Sequence, residues 1–301
     1  RATITLGTPF DGAVKAAVLL ATGQGAPLPR GKLLPVVATM PGLYDLLPHS
    51  RCVDQGDTGR RLTPDDVAAF AGHDQLATTM KELATATFED RAALAATPLP
   101  GHRAVIGVQQ PTMSALTLRD GLPTGQYYTF AAGPDGDLER ERDTGLLIRR
   151  PGLGDGTVPH TSAEPHNGQR PMPLAQQHGA LARSPETITI VQDEILYGLV
   201  PGSPKPRLGV GDIGLVLPDI VTPGLPWSAT ITGVAPHEAR CQITDAQTDQ
   251  PVDHPILHRR HGQVMIISTL PAPGVYRVEV TGGGTSPVSQ LVLAHDHPDP
   301  T

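Results

Sequence analysis

The chain has 301 residues, with 30 acidic against 23 basic side chains; a net charge of −7 and no long basic run point away from nucleic acid as a partner. Hydrophobic residues make up 39%, enough for a core, while 33 Gly, 32 Pro and only 3% aromatics describe short apolar segments between many turns rather than disorder. No stretch approaches the roughly 18 apolar residues of a spanning helix, so no membrane span is expected. The two cysteines, Cys52 and Cys241, are far apart and read as free thiols, which leaves the compartment open. The first residue is Arg1 and residues 2–6 already read as a strand. The expectation is therefore a lost start, and any targeting segment lost with it, so localisation is open between cytoplasmic and secreted.

Residues 2–6 form an apolar, β-branched run ended by Gly7-Thr8-Pro9, the pattern of a buried strand entering a loop. Residues 11–20 predict a short helix, and 23–48 are rich in Pro and Gly. Thr63-Pro64-Asp65-Asp66 is a helix start: a hydroxyl cap, Pro at the first helical position, and acids facing the positive end of the dipole. A second helix begins near Asp74, where Leu76, Met80 and Leu83 share one face that reads as core packing. Residues 103–108 predict a buried strand, and 113–118 with 126–131 predict a hairpin around Asp120-Gly121. Residues 185–196 predict a closing helix.

After Tyr197-Gly198 the texture changes. Residues 200–206 hold Pro201-Gly202-Ser203-Pro204-Lys205-Pro206, a stiff linker because Pro fixes φ. Short strands follow at 213–217, 227–233, 240–244, 264–268, 274–280 and 288–294, the spacing of a small antiparallel, immunoglobulin-like β-sandwich over 207–297.

The chemistry concentrates in Gly154-Asp155-Gly156-Thr157-Val158-Pro159 and in Gln177-His178-Gly179, with the histidine 23 residues after the acid. An acid on a tight glycine turn, then a histidine after the next apolar strand, is the order of the last two members of a Ser–Asp–His triad in α/β-hydrolases. There the acid fixes the tautomer of the histidine and stabilises the imidazolium formed when serine gives up its proton. No G-x-S-x-G occurs in residues 1–301, so the nucleophile is expected upstream of Arg1. Ser114, Ser162 and Ser184 do not stand on strand-turn-helix elbows. His160 and His166, near Asp155, are weaker alternatives for the base. His254, His258 and His261 could gather a metal only if helical and read as solvated loop residues between strands, as do His295 and His297. Gly282-Gly283-Gly284 reads as a turn, not a phosphate loop. No metal and no organic cofactor is expected.

Leu6-Gly7-Thr8-Pro9-Phe10-Asp11-Gly12 resembles the LGTP-x-x-G segment that follows the nucleophile elbow of lipases. Met40-Pro41 with Tyr44-Asp45-Leu46-Leu47-Pro48 resembles the P-S-x-Y-x-L-L-P signature of the lecithin:cholesterol acyltransferase-like family, with Gly42 where that family often has Ser. Residues 154–163 (GDGTVPHTSA) resemble its catalytic-acid motif, and 176–188 (QQHGALARSPETI) its catalytic-histidine segment. The resemblance covers about residues 1–198. It implies an α/β fold: the C-terminal part of an α/β-hydrolase sheet over 1–199 with a helical cap excursion, and an unpaired sheet edge beside residues 2–6. It also implies Asp155 as triad acid and His178 as general base, and a serine esterase, lipase or acyltransferase acting on lipid or other hydrophobic esters. Residues 1–301 alone, lacking the serine, are expected to be inactive. The alternative from another class is a non-catalytic, degenerate hydrolase scaffold whose β-sandwich mediates binding of a ligand that the sequence leaves unidentified.

Overall fold

A computed structural model describes residues 3–72, 74–94, 99, 101–133, 136–165, 170–198, 213–282 and 287–296. The expected linker at 200–206, together with His166, His297, Gly283 and Gly284, lies outside these residues. The chain divides into two compact units. The first comprises Arg1–Gly7, Pro100–Gln110 and Gln169–Thr301, and the second Thr8–Leu99 and Pro111–Gly168.

In the first unit, Thr3–Leu6, His102–Gly107 and Met172–Leu174 form a three-stranded parallel sheet with His102–Gly107 at its centre. Thr3–Leu6 is half-buried rather than buried, because it lies at an edge and pairs on one side only among the described residues. Val105, Leu174, Leu181 and Ile190 share a small core, the last two from the helices His178–Leu181 and Pro185–Tyr197.

The rest of the first unit is a β-sandwich. One sheet orders Gly214–Val216, Pro226–Thr232, Gln263–Thr269 and His258–Arg260; the other orders Ile220–Val221, Val288–Ala294, Gly274–Gly282, Ala239–Asp245 and Pro251–Asp253. All pairs but Ile220–Val221 with Val288–Ala294 are antiparallel. Alternation builds the core: Trp227, Ala229 and Ile231 point inward from one strand, Val264 and Ile266 from its neighbour, and Tyr276, Val278 and Val280 from the facing sheet. A strand lies in each of the six segments expected beyond the linker. His258 is a correction: it opens an exposed edge strand rather than lying in a loop.

The second unit carries the helices Val14–Thr22, Arg30–Val37, Pro41–Tyr44, Pro64–Ala69 and Asp74–Leu94. They bury Leu20, Tyr44, Leu47, Phe70 and Met80 against Leu116 of a four-stranded sheet ordered Gly59–Arg60, Val53–Asp54, Ala115–Arg119 and Leu122–Gln126. The Thr63 hydroxyl accepts the Asp66 N–H while the Asp66 carboxylate accepts the Thr63 N–H at 2.8 Å, a reciprocal capping box. The hairpin turns at Asp120-Gly121, both at positive φ (50° and 77°), but its second arm is Leu122–Gln126 and not 126–131. A two-residue turn leaves no slack, so the partner strand starts at once. Tyr128–Phe130 pairs with Arg149–Pro151 instead.

The expected α/β class, with part of an α/β-hydrolase sheet and a helical cap, is overturned. Helix accounts for 25% and strand for 35%, spread over several small sheets, and no α/β-hydrolase sheet is present among the described residues. Such a sheet needs successive crossovers that return each strand to the same sheet. Here residues 8–99 and 111–168 build a unit with its own sheet and core, and the helices within it bury their apolar faces there. No helix of the described residues is long and apolar enough to cross a membrane. Cys52 and Cys241 are buried and free, and burial pushes both thiols up to about 12.

Candidate functional site

Asp155 belongs to the second unit and His178 to the first. Asp155 is 1% exposed on a turn whose shape its neighbours dictate. A Cβ on Gly154 would meet the Val158 carbonyl oxygen at 2.1 Å, and Gly156 sits at φ +84°. Both positions therefore require glycine. Asp155 Oδ1 accepts the N–H groups of Thr157 (3.0 Å) and Val158 (2.6 Å), and the Asp155 N–H donates to the Val158 carbonyl (3.2 Å). The Gly156 N–H donates to Thr112 Oγ1 at 2.9 Å. Thr112 is fully buried and had no signal in the sequence beyond its place before a predicted strand.

Three of the four family-like segments interlock in this unit. The Asp11 N–H donates to the Ser162 carbonyl (3.2 Å), the His49 N–H to the Asp11 carbonyl (2.9 Å) and the Ala13 N–H to the Leu46 carbonyl (2.8 Å). The Ser162 hydroxyl donates to the Gly12 carbonyl. Tyr44 and Leu47 are fully buried beside them, with the Tyr44 hydroxyl on the Ala38 carbonyl at 2.7 Å; burial raises that phenol to about 12.

The other serines carry structural bonds too. Ser114 donates to the Thr112 carbonyl (3.1 Å), and Ser184 caps the helix Pro185–Tyr197 by accepting the Thr187 N–H (3.2 Å). His160 holds the Leu153 carbonyl through Nδ1 at 2.9 Å; a carbonyl only accepts, so Nδ1 carries the proton. His254 and His261 flank the edge strand rather than a helix, and no group of three His, Cys, Asp or Glu able to hold a metal occurs among the described residues.

Another polar cluster of the second unit is structural. Asp54 accepts the Tyr128 hydroxyl (2.5 Å) and the Nε (3.0 Å) and Nη2 (2.9 Å) donors of Arg149, and Arg149 lies over the Tyr128 and Phe130 rings. Burial alone would raise Asp54, but the Tyr128 hydroxyl, the Gly56 N–H and Arg149 outweigh it and hold the carboxyl below its usual value. Every partner is a donor and the group stays an anion.

His178, half-buried, is the first residue of the short helix His178–Leu181 rather than a loop residue. The Gln177 carbonyl accepts the N–H groups of Ala180 (3.0 Å) and Leu181 (3.1 Å). Gln176 and Gln177, together with Gln110, are at most 4% exposed. Elsewhere in the unit, Thr5 Oγ1 lies 2.8 Å from His102 Nε2, and burial first, then the Arg103 charge, lowers that imidazole.

No family model matches the chain, and no curated protein matches it. Solved structures similar to parts of it are small β domains. CopC from Methylosinus trichosporium OB3b is 16% identical, with 30% of this chain and 99% of that chain covered and a TM-score of 0.24. The PKD domain of an M14-like peptidase from Thermoplasmatales archaeon SCGC AB-540-F20 is 13% identical, with 28% and 93% covered and a TM-score of 0.20. The M1 domain from titin is 9% identical, with 26% and 84% covered and a TM-score of 0.19. At these scores the three lend nothing to the reading of the site.

Proposed function

We propose that Asp155 and His178 are the acid and the base of a serine-dependent acyl-ester hydrolase or O-acyltransferase acting on lipid or other hydrophobic esters. The observation that carries the reading is the Gly154-Asp155-Gly156 turn, which buries a carboxylate on two N–H donors beside the interlocked segments 9–13, 46–49 and 159–162. Triads recur on unrelated folds, so the reading does not depend on an α/β-hydrolase sheet.

In this scheme the serine, which residues 1–301 do not supply, attacks the acyl carbonyl carbon and passes its proton to His178. Asp155 holds the imidazolium. Collapse of the tetrahedral adduct breaks the ester C–O bond, and His178 returns the proton to the departing alcohol. Water or a second alcohol then takes the acyl group by the same steps in reverse.

The test is hydrolysis of p-nitrophenyl esters of increasing acyl length by the full-length gene product, by its His178→Ala variant and by residues 1–301 alone. Removing a triad member costs several orders of magnitude in rate. The expected result is turnover that collapses in His178→Ala and is absent from residues 1–301. Equal turnover with and without His178 would end the proposal, and a full-length product that turns over no ester favours the non-catalytic scaffold.

A further inference from the structure

We infer that the β-sandwich is the positioning frame of His178, to which Gln110, Gln176 and Gln177 fasten the histidine segment as positioning residues; the catalytic part of this inference rests on the proposed role of His178 as base. All the groups involved belong to the first unit.

The bonds are these. Gln177 Nε2 donates to the Leu215 carbonyl (2.6 Å) and to Gln110 Oε1 (3.0 Å). Gln110 Oε1 also accepts the Leu215 N–H (3.0 Å), and Gln110 Nε2 donates to the Ile213 carbonyl (2.9 Å). Gln176 Nε2 donates to the Pro287 carbonyl (2.8 Å), while its Oε1 accepts the N–H groups of Ser289 (3.1 Å) and Gln177 (3.0 Å).

Two glutamine side chains thus occupy both backbone groups of Leu215, in the edge strand of one sheet. A third occupies backbone groups two residues apart at the start of Val288–Ala294 in the other sheet. The amides stand where a further strand would pair. The three side chains are 0%, 3% and 4% exposed, so no water replaces a bond that is lost.

The consequence falls on His178. A four-residue helix cannot hold itself, since nucleation fixes several residues for a single bond. The direction of this helix is set by Gln177, whose carbonyl takes the Ala180 and Leu181 N–H groups. The side chain of Gln177 is anchored on one sheet of the sandwich and that of its neighbour Gln176 on the other. The imidazole therefore leaves a backbone whose position the sandwich determines. On this account the sandwich is not a detachable binding module.

Gln177→Met keeps the approximate side-chain volume and removes the amide. Amide hydrogen exchange on the chain is read at Ala180 and Leu181, at Leu215 and Ser289, and at Ile243 and Val278 in the sandwich core. The His178 ring resonances are followed through a pH titration. Exchange at Ala180 and Leu181 should quicken by about tenfold or more, the scale of one orphaned buried group. The His178 titration should move, with Ile243 and Val278 unchanged. In the ester assay kcat should fall while KM holds, because the residue acts through the base and not on the substrate.

Faster exchange at Leu215 with Ala180, Leu181 and the His178 ring unmoved would overturn the inference, leaving the glutamines as sealants of a sheet edge. If Gln177→Met also loses protection at Ile243, Gln176→Met, which breaks the Pro287 and Ser289 bonds together with the one from the Gln177 N–H but leaves the Leu215 side intact, is judged by the same criteria. A His178 that loosens in a protein without ester turnover keeps the frame and removes the proposed function. An undisturbed His178 in an active enzyme does the reverse.

Discussion

Replacing Asp155 by Asn and by Ala separates two tasks of one carboxylate. Oδ1 accepts two backbone N–H groups, from Thr157 and Val158, and the residue is 1% exposed. Bonds to a charged acceptor contribute about 1.5–3 kcal/mol each, against about 0.5–1.5 for a neutral one. Alanine removes both and orphans the buried Val158 N–H, so Asp155→Ala should cost about 3–5 kcal/mol of local stability. Asparagine keeps an Oδ1 acceptor for both donors and gives up only the charge, so Asp155→Asn should cost about 2–3 kcal/mol. On the proposed role of Asp155 as triad acid, the two should be equally damaging for turnover. An amide cannot stabilise the imidazolium, and neutralising a triad acid costs about 10⁴-fold in kcat. Amide exchange at Val158 reports the turn, and ester hydrolysis by the full-length gene product reports the chemistry. If Asn loosens the turn as much as Ala does, the hydrogen-bond account is wrong. If Asn turns over esters at a near-normal rate, Asp155 leaves the triad.

Gly154→Ala places a methyl 2.1 Å from the Val158 carbonyl oxygen and 2.9 Å from Pro159 Cα, both backbone. The expected loss is about 1–3 kcal/mol in urea unfolding, whereas Gly179→Ala, with open space around it, should stay within about 0.5 kcal/mol. Thr63→Ala removes the capping box of Pro64–Ala69 and should cost about 1 kcal/mol in a denaturation midpoint; no change would make the box an ornament of the helix. For pH, burial and then Arg103 hold His102 below its ordinary 6.5. The unfolded chain thus binds more protons than the native one just below 6.5, so stability is present above that pH and is lost as pH falls from it toward the lowered native value. His102→Gln should flatten that part of a stability-versus-pH curve; an unchanged slope would assign it to another group.

Much of the local structure was legible because its causes lie within a few residues. Thr63 and Asp66 meet across one turn of helix, Gly154 and Gly156 bracket a carboxylate that bonds two and three residues ahead, and the sandwich strands show their inward faces by strict alternation. Asp120-Gly121 marks the turn, yet the arm after it begins at Leu122, four residues before the expected 126, since periodicity alone does not distinguish Leu122–Gln126 from the strand that follows. The roles of Gln110, Gln176 and Gln177 carry no local signal, because nothing near them in sequence shows the Leu215 and Ser289 groups that they satisfy.

By itself the sequence determined where the chain turns, caps and extends, and the order in which a buried acid and a histidine follow one another. Only the tertiary structure decided which sheet each strand joins: Thr5 beside Ala104, Leu174 beside Gly107, and the strands from Gly214 onward in the two sheets of a sandwich. The reason is physical. Caps and turns are bonds between near neighbours, whereas parallel strand pairing and the buried amides draw on partners from 38 to 113 residues away, which a local pattern does not encode.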